Sequence, residues 1–550
     1  MSLGNNYAVP HDKMADDDDD PNETDPLLGS SFSLSSFQRV AELKKNNENH
    51  NNNENNSNNE FNNNPANKDT KKSTGQTILA LAIPAAGALL IDPLLNLVDT
   101  ALVGRFTEGP EALAGMGSAA ALLTFSFYLF TFLCTATTPL VAAQRAAGHE
   151  AAAQAVGGQA LSLALILGSV GTILLLTLQQ PLLRLMGTGC TGDEANQYAL
   201  AFLSIRALAA PAVFTMEAST GILRGYLDTK TPVIILITAN VINLLLDLVL
   251  IVYAGLGPMG AAIATTTAEW ISALIFLSVL AGRLPSADGQ LGSNHNDALL
   301  RSGQQNGVAI VPLRTIPAWQ DMRPLLVASG AVFFRAVLLQ LSLSTAAAMA
   351  ARGGGTMETG AAAAVAAHQI GIQLWLLCSF FCDSLAAASQ GLVANAMGRN
   401  DAVAVREISK TVFSYSLVLG LFLATLLQAG EWTGWLFAVF TQNTETRTAL
   451  SEILPLIVLA QPLNALVFAA DGVLQGASQF PFQAKAMALS GGTAVATFFA
   501  LQAQGQVDID TLVIVWTSLL ALQTMRGLTS LWKLVDPDGP INLLAKKVQT

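Results

Sequence analysis

"PAVFTMEASTGILRG", residues 211–225, and "PLNALVFAADGVLQG", residues 462–476, each set a proline ten residues before a Gly-aliphatic-Leu-x-Gly ending. Pro211 corresponds to Pro462 and Gly221 to Gly472, both at an offset of 251. A second pair, "LVAAQRAAGHE" (140–150) and "LVANAMGRND" (392–401), agrees at nearly the same offset once one gap is allowed, with Gly148 opposite Gly398. Two independent matches at one spacing mark an internal duplication. The fold is therefore expected to be two copies of one unit.

Composition says what the unit is. The chain is 51% hydrophobic and 12% charged, against about 25% charged for an ordinary soluble domain. A bilayer core needs roughly 20 apolar residues per helix. Runs of that length lie at 77–103, 113–143, 156–178, 196–222, 232–254, 259–282, 322–350, 361–394, 408–428, 450–476, 484–503 and 510–534, numbered spans 1 to 12 below. They are too long, and lack the period-2 alternation, for a membrane β-barrel. Six spans per copy is an even number, so both copies run the same way across the membrane. Parallel repeats of this kind are a transporter plan in which solute is held between rocking halves. The predicted organisation is an N-lobe over 75–283, a polar cytoplasmic linker over 284–321, a C-lobe over 322–535 and a C-terminal tail over 536–550.

Residues 1–74 hold thirteen acidic and seven basic side chains, and thirteen of the nineteen positions from 46 to 64 are asparagine. Such a segment cannot bury a core and reads as a disordered cytoplasmic tail. It supplies −6 of the net charge of −11, so the acidic balance points to no nucleic-acid partner. It is unlike a transit peptide, and no apolar run opens the chain, so span 1 is expected to be retained. Within it, ETDPLL (23–28) fits an acidic-dileucine pattern, in which Glu23, Leu27 and Leu28 would meet a sorting adaptor; the alternative is chance occurrence of a short motif. Lys and Arg in the loops set orientation. With the N-terminus cytoplasmic, sixteen fall on that side and four (Arg105, Arg184, Arg352, Arg447) on the other, which places both termini in the cytoplasm. The four cysteines lack metal-site spacing and read as buried thiols.

The residues resemble the multidrug and toxic compound extrusion (MATE) transporters, in the eukaryotic branch similar to the bacterial DNA-damage-inducible F type and to plant citrate exporters. The blocks that carry the resemblance are, in order, "IPAAGALLIDPLLNLVDTALVGR", "GILRGYLDTKTP", "NVINLLLDLVLI" with "GPMGAAIATTTAEW", "AAHQIGIQLWLLCSFFCDSLAAASQGLVA" and "QPLNALVFAADGVLQGAS". They cover about 75 to 535; the tail and linker match nothing in the family. The resemblance implies an all-α membrane protein of twelve transmembrane helices in two pseudo-symmetric six-helix lobes, V-shaped, exporting an organic solute against inward H⁺ or Na⁺. It also implies a cation-coupling site in the N-lobe, which falls here on Asp99 in span 1, Asn243 and Asp247 in span 5, and Thr265 in span 6. Thr266 and Thr267 are adjacent alternatives to Thr265.

The same residues share a depth in the membrane. Asp99, Asp247 and Thr265 each lie several residues from the outer end of a span, roughly 7 to 12 Å below the boundary at 1.5 Å per residue. Asn243 and Asp247 are four apart and share a helix face. Intramembrane carboxylates are expensive and usually face a cavity or relay protons. Two brought together can hold a proton; with an amide and a hydroxyl they also suit hard Na⁺. The alternative is hydrogen bonding between helices. Pro84 and Pro93 are expected either to let span 1 bend when Asp99 is protonated or to set a static kink, with Asp92 at the hinge, where it either satisfies backbone groups freed by Pro93 or serves as a second proton stop.

Arg206, Glu269, Arg335, His368 and Gln373 are candidates for the substrate cavity; Arg335 would grip a carboxylate or neutralise an acidic neighbour, and His368 is also readable as a core residue. Glu217, Asp383 and Asp471 read as helix contacts or caps. No cofactor is expected, and the protein is expected to be a monomer. A lipid or lipid-linked flippase is the alternative of related architecture, but it would want several central cations where only Arg206 and Arg335 qualify. An intramembrane aspartyl protease would want Gly-x-Gly-Asp, where the chain has GLGP at 255–258. HExxH and GxSxG motifs are also lacking, so no enzyme is expected. Substrate stays open between organic cations or drugs and carboxylates such as citrate, and the membrane between plasma and vacuolar or endosomal.

Overall fold

The computed structural model describes residues 73–106, 110–185, 194–286, 309–312, 319–352, 358–503 and 511–545. The acidic-dileucine motif, nearly all of the tail and most of the linker lie outside them. The described residues are helical or in turns, with no strand among them. Inside a bilayer, backbone groups must be satisfied within the segment, and long apolar sequences do so as helices.

Eleven helical segments are long and apolar enough to cross a membrane, and a twelfth crossing is the bent pair Glu194–Ala207 and Ala210–Gly225. Each coincides with one span of the sequence. Span 1 is the helix Thr74–Phe106, unbroken through Pro84 and Pro93. Span 2 is Pro110–Tyr128 and Phe132–Ala146, span 3 is Glu150–Leu185, and span 6 is Gly257–Leu280. Span 5 runs Lys230–Asp247 and then continues as a π turn, Leu248–Tyr253. Spans 7 to 12 are Trp319–Arg352, Glu358–Gly398, Ala402–Thr433, Thr444–Gly476, Phe480–Ala503 and Thr511–Val535.

The opening motif is explained by close helix crossings that occur twice. A Cβ on Gly221 would stand 2.8 Å from the Cys134 carbonyl in span 2, and one on Gly472 would overlap Ala386 in span 8. Gly225 presses on Val141, and Gly476 on Val393. Gly168 meets Pro211, and Gly420 meets Pro462. Two residues beyond each motif the chain turns through a left-handed residue, Leu227 (φ 62°) and Ser478 (φ 56°). Small residues let backbones approach where no hydrophobic effect drives helices together. Gly221→Ala is therefore expected to destabilise the N-lobe by about 1–3 kcal/mol through overpacking, read as a lower thermal midpoint of the purified protein. Retention of the parent midpoint would mean that span 4 can move away from span 2 freely.

The lobes exchange the beginnings of their first helices. Ile78, Leu81 and Ala82 of span 1 pack with Leu392, Val393, Val405 and Ile408 of the C-lobe. Leu325, Ala328 and Val332 of span 7 pack with Leu133, Phe214 and Ile222 of the N-lobe. At the same end, Thr74 Oγ1 donates to Glu407 at 2.5 Å, Gln390 Nε2 donates to the Thr135 carbonyl at 2.6 Å, and Gly398 lies against the Ala143 backbone. The lobes are thus closed at the Thr74 end of the bundle. Pro110–Tyr128 and Glu194–Ala207, toward the other end, pack within the N-lobe.

Two spans are broken. In span 4, Pro211 cannot donate and its ring crowds the carbonyl of Ala207; Thr172 Oγ1 donates to that carbonyl at 2.7 Å, and the halves meet at 48°. In span 2 a turn at 129–131 carries no proline or glycine. It brings Phe130 into a stack with Phe214, centroids 4.1 Å apart, and Phe132 edge-on to Phe333 of span 7 at 6.0 Å.

Candidate functional site

Asp99, Asn243, Asp247 and Thr265 come together in the N-lobe from spans 1, 5 and 6. Thr265 Oγ1 lies 3.5 Å from Asp99 Oδ2 while donating to the Ala261 carbonyl at 2.9 Å, and Asp247 and Asn243 also face the Asp99 carboxyl. Asp99 is 4% exposed, Asn243 and Asp247 0%. Five buried polar atoms here have no hydrogen-bond partner: Asp99 Oδ1, both amide atoms of Asn243 and both carboxylate oxygens of Asp247. Buried polar groups are ordinarily satisfied, and unsatisfied ones call for an explanation. Asp247 also stands immediately before the π turn of span 5, an irregularity found often at functional sites. Carboxylate, amide and hydroxyl oxygens suit a proton or a hard cation such as Na⁺. Thr266 and Thr267 are turned elsewhere, donating to the Ile205 and Ile263 carbonyls.

The other candidates are dispersed. Arg206 and Glu269 form a two-pronged ion pair inside the N-lobe, one arm at 2.8 Å. Arg335 donates to Asp471 Oδ2 at 2.5 Å, and Arg526 donates to the same oxygen at 2.5 Å. His368 is buried against Trp516, ring centroids 5.7 Å apart, whereas Gln373 is exposed. The side chain of Asp92 is outside the described residues; Pro93 is exposed and Pro84 half-buried.

The C-lobe network around Asp471 was not anticipated from the sequence. Gln483 Nε2 donates to Asp471 Oδ1 at 3.1 Å, and Arg526 Nη1 donates to Gln523 Oε1 at 2.7 Å. Gln523 Nε2 reaches Asn464 Oδ1 at 2.5 Å, and Asn464 Nδ2 reaches Ser379 at 3.1 Å. The available signal was Arg526 itself, an arginine well inside span 12, since such residues are rarely unpaired in a membrane.

A family model described as MatE matches residues 84–249 and 334–497, two stretches that begin 250 residues apart. The chain belongs to the MatE family. Members are multidrug and toxic compound transporters and not enzymes. This MatE protein is 29% identical over 486 residues to "Protein DETOXIFICATION 44, chloroplastic" of Arabidopsis thaliana, covering 86% of this chain and 84% of that one. It is 28% identical to DETOXIFICATION 43 of the same plant, over 86% of this chain and 93% of that one. It is also 27% identical to the DNA damage-inducible protein F of Escherichia coli K12, over 84% and 92%. Among solved structures, MATE in the straight conformation aligns at a TM-score of 0.70 and 19% identity, over 84% of this chain and 95% of that one. MATE in the bent conformation aligns at 0.69 and 20%, over the same shares. These likenesses show the fold, a two-lobed helical membrane transporter.

Proposed function

We propose that this MatE protein is a secondary antiporter that exports an organic solute in exchange for H⁺ or Na⁺ by alternating access, with Asp99, Asn243, Asp247 and Thr265 as the coupling site. The observation that carries this reading is the set of five unpartnered polar atoms at 0–4% exposed residues. Two carboxylates facing each other away from water repel unless a proton or cation lies between them. The ion then neutralises the pair, and its release restores the repulsion. Such a group has two states, and a gradient biases the choice between them.

Charge in the loops supports a cytoplasmic Thr74 end. With that orientation, lobes closed at the Thr74 end belong to a carrier that presents its cleft outward. The site then lies near the outer ends of spans 1, 5 and 6, on the side from which the driving ion would enter. A flippase reading is weakened because Arg206 and Arg335, the cations it would use, are held by Glu269 and Asp471. For the same reason neither arginine is free to take a substrate carboxylate without first leaving its partner, which favours a cationic or neutral solute.

The test is uptake into proteoliposomes carrying the purified chain, with ethidium and with citrate as probes and with imposed pH or Na⁺ gradients. The reading expects uphill movement of one probe under one of the two gradients. Movement that follows only the probe's own gradient would overturn antiport.

A further inference from the structure

Each lobe is capped at the Thr74 end by a short stretch of chain that follows its sixth span and folds back on it. After span 6, residues 309–312 return to the N-lobe, where the Ile310 amide donates at 2.8 Å to the carbonyl of Leu280, the last residue of that helix. Ile310 is 1% exposed, and a Cβ on Gly157 of span 3 would stand 2.8 Å from its Cγ2. After span 12, residues 536–545 turn back on the C-lobe, and the Leu543 amide donates to the Leu534 carbonyl at 3.0 Å. Ile541 is 2% exposed. The turn is held by Lys533 on Asp536 at 2.9 Å and by Asn542 Nδ2 on the Pro537 carbonyl at 3.0 Å, with Asn542 in the left-handed region at φ 41°.

Both isoleucines sit where the lobes meet. Ile310 belongs to the apolar cluster in which Leu325, Ala328 and Val332 of span 7 pack on the N-lobe. Ile541 belongs to the cluster in which Ile78, Leu81 and Ala82 of span 1 pack on the C-lobe, and Leu227, from the turn after span 4, packs against that cluster as well. The two stretches, AIVP and DPDGPINLLA, share no motif and follow their helices at different distances. Their common placement is therefore not a remnant of the duplication; it answers the same packing requirement in each lobe. Val311 and Leu544 beside them are exposed, so each stretch is seated by few side chains.

We propose that residues 309–312 and 536–545 are two straps, one per lobe, that hold the lobes closed at the Thr74 end, each through one isoleucine. Apolar area hidden in a cluster built by both lobes returns to water when the lobes part, so each strap adds to the cost of opening that end. A segment seated by few side chains detaches locally more easily than a helix does. Release of a strap therefore lowers the cost of opening without unfolding the lobe, and shifts the balance between the two states of the carrier. The proposal rests on lobes that rock, as in the antiport reading, and not on the identity of the ion or the solute.

The experiment measures the distance between nitroxides at Ala147→Cys of the N-lobe and Ala402→Cys of the C-lobe, both exposed at the Thr74 end. It uses pulsed electron spin resonance on the full-length protein in lipid nanodiscs, with the four native cysteines replaced. Ile310→Ala and Ile541→Ala are each expected to raise the long-distance fraction several-fold over the parent, and the two together to raise it further. Leu543→Pro is expected to act like Ile541→Ala, because it removes the amide that ties the strap to Leu534 and leaves Ile541 in place. Ile453→Ala is the control, since Ile453 is fully buried in a cluster made by the C-lobe alone; it is expected to lower the thermal midpoint and leave the distances unchanged. Parent distances in all the strap variants, or an equal shift in Ile453→Ala, would overturn the straps while leaving rocking lobes in place. Rocking is read from the parent, whose short and long distances should exchange weight between pH or Na⁺ conditions. A single distance under all of them, with the variants alike, would overturn alternating access and the proposal with it.

Discussion

Asp99→Asn is expected to reduce gradient-driven transport to the background of protein-free vesicles while leaving the protein folded. Asparagine keeps the size of the side chain and can still accept from Thr265, which lies 3.5 Å away. The substitution removes the charge opposite Asp247, so the pair no longer needs an ion to stay together. Repulsion between two carboxylates is the spring of the proposed cycle, and with one of them gone the bound and unbound states differ too little for a gradient to select between them. Stability should hold or rise, because one buried charge is no longer taken out of water. A carrier that still moves solute uphill with Asp99→Asn would place the coupling elsewhere. Loss of transport together with loss of the folded protein would make Asp99 a structural residue.

Asp471→Ala is expected to destabilise the C-lobe by about 3–5 kcal/mol, the largest effect on stability of any single substitution considered. Asp471 Oδ2 accepts from Arg335 and Arg526 at 2.5 Å each, and the side chains of the two arginines are 17% and 7% exposed. Removing the carboxylate leaves two like charges buried with nothing between them, and Gln483 loses an acceptor as well. Asp471→Asn keeps an acceptor and should fall between the parent and Asp471→Ala. Thermal unfolding in lipid nanodiscs measures both. A midpoint for Asp471→Ala equal to that of the parent would mean that both arginines find other partners or reach water.

The architecture was legible because membrane physics leaves few options. Long apolar runs must be helices, and the Pro-x₉-Gly-x₃-Gly motif announced the crossings of span 4 on span 2 and of span 10 on span 8. Asp99, Asn243, Asp247 and Thr265 were singled out through the resemblance and through their common depth, and they lie side by side in the structure. The two breaks were less visible. Pro211 and Pro462 are alike in sequence, yet only span 4 divides, because Thr172, Thr266 and Trp270 are there to take the carbonyls near the break. The turn in span 2 has no local signal at all; packing of Phe130 on Phe214 overrides a helical sequence. The arginines were noticed but their partners were not, since Arg206 and Glu269 are 63 residues apart and Arg335 and Asp471 are 136 apart, separations at which sequence spacing carries no information.

The central claim is that the Asp99–Asp247 pair exchanges its ion as solute moves. It is tested most directly by adding the transported probe to one side of proteoliposomes that hold no ion gradient, and recording counter-movement of H⁺ with an internal pH dye or of Na⁺ with a radiotracer. The account predicts that the probe drives one of these ions the opposite way in the parent and that Asp247→Asn abolishes the ion movement. Ion movement equal to that of the parent in Asp247→Asn, or solute movement in the parent with neither ion moving, would contradict it.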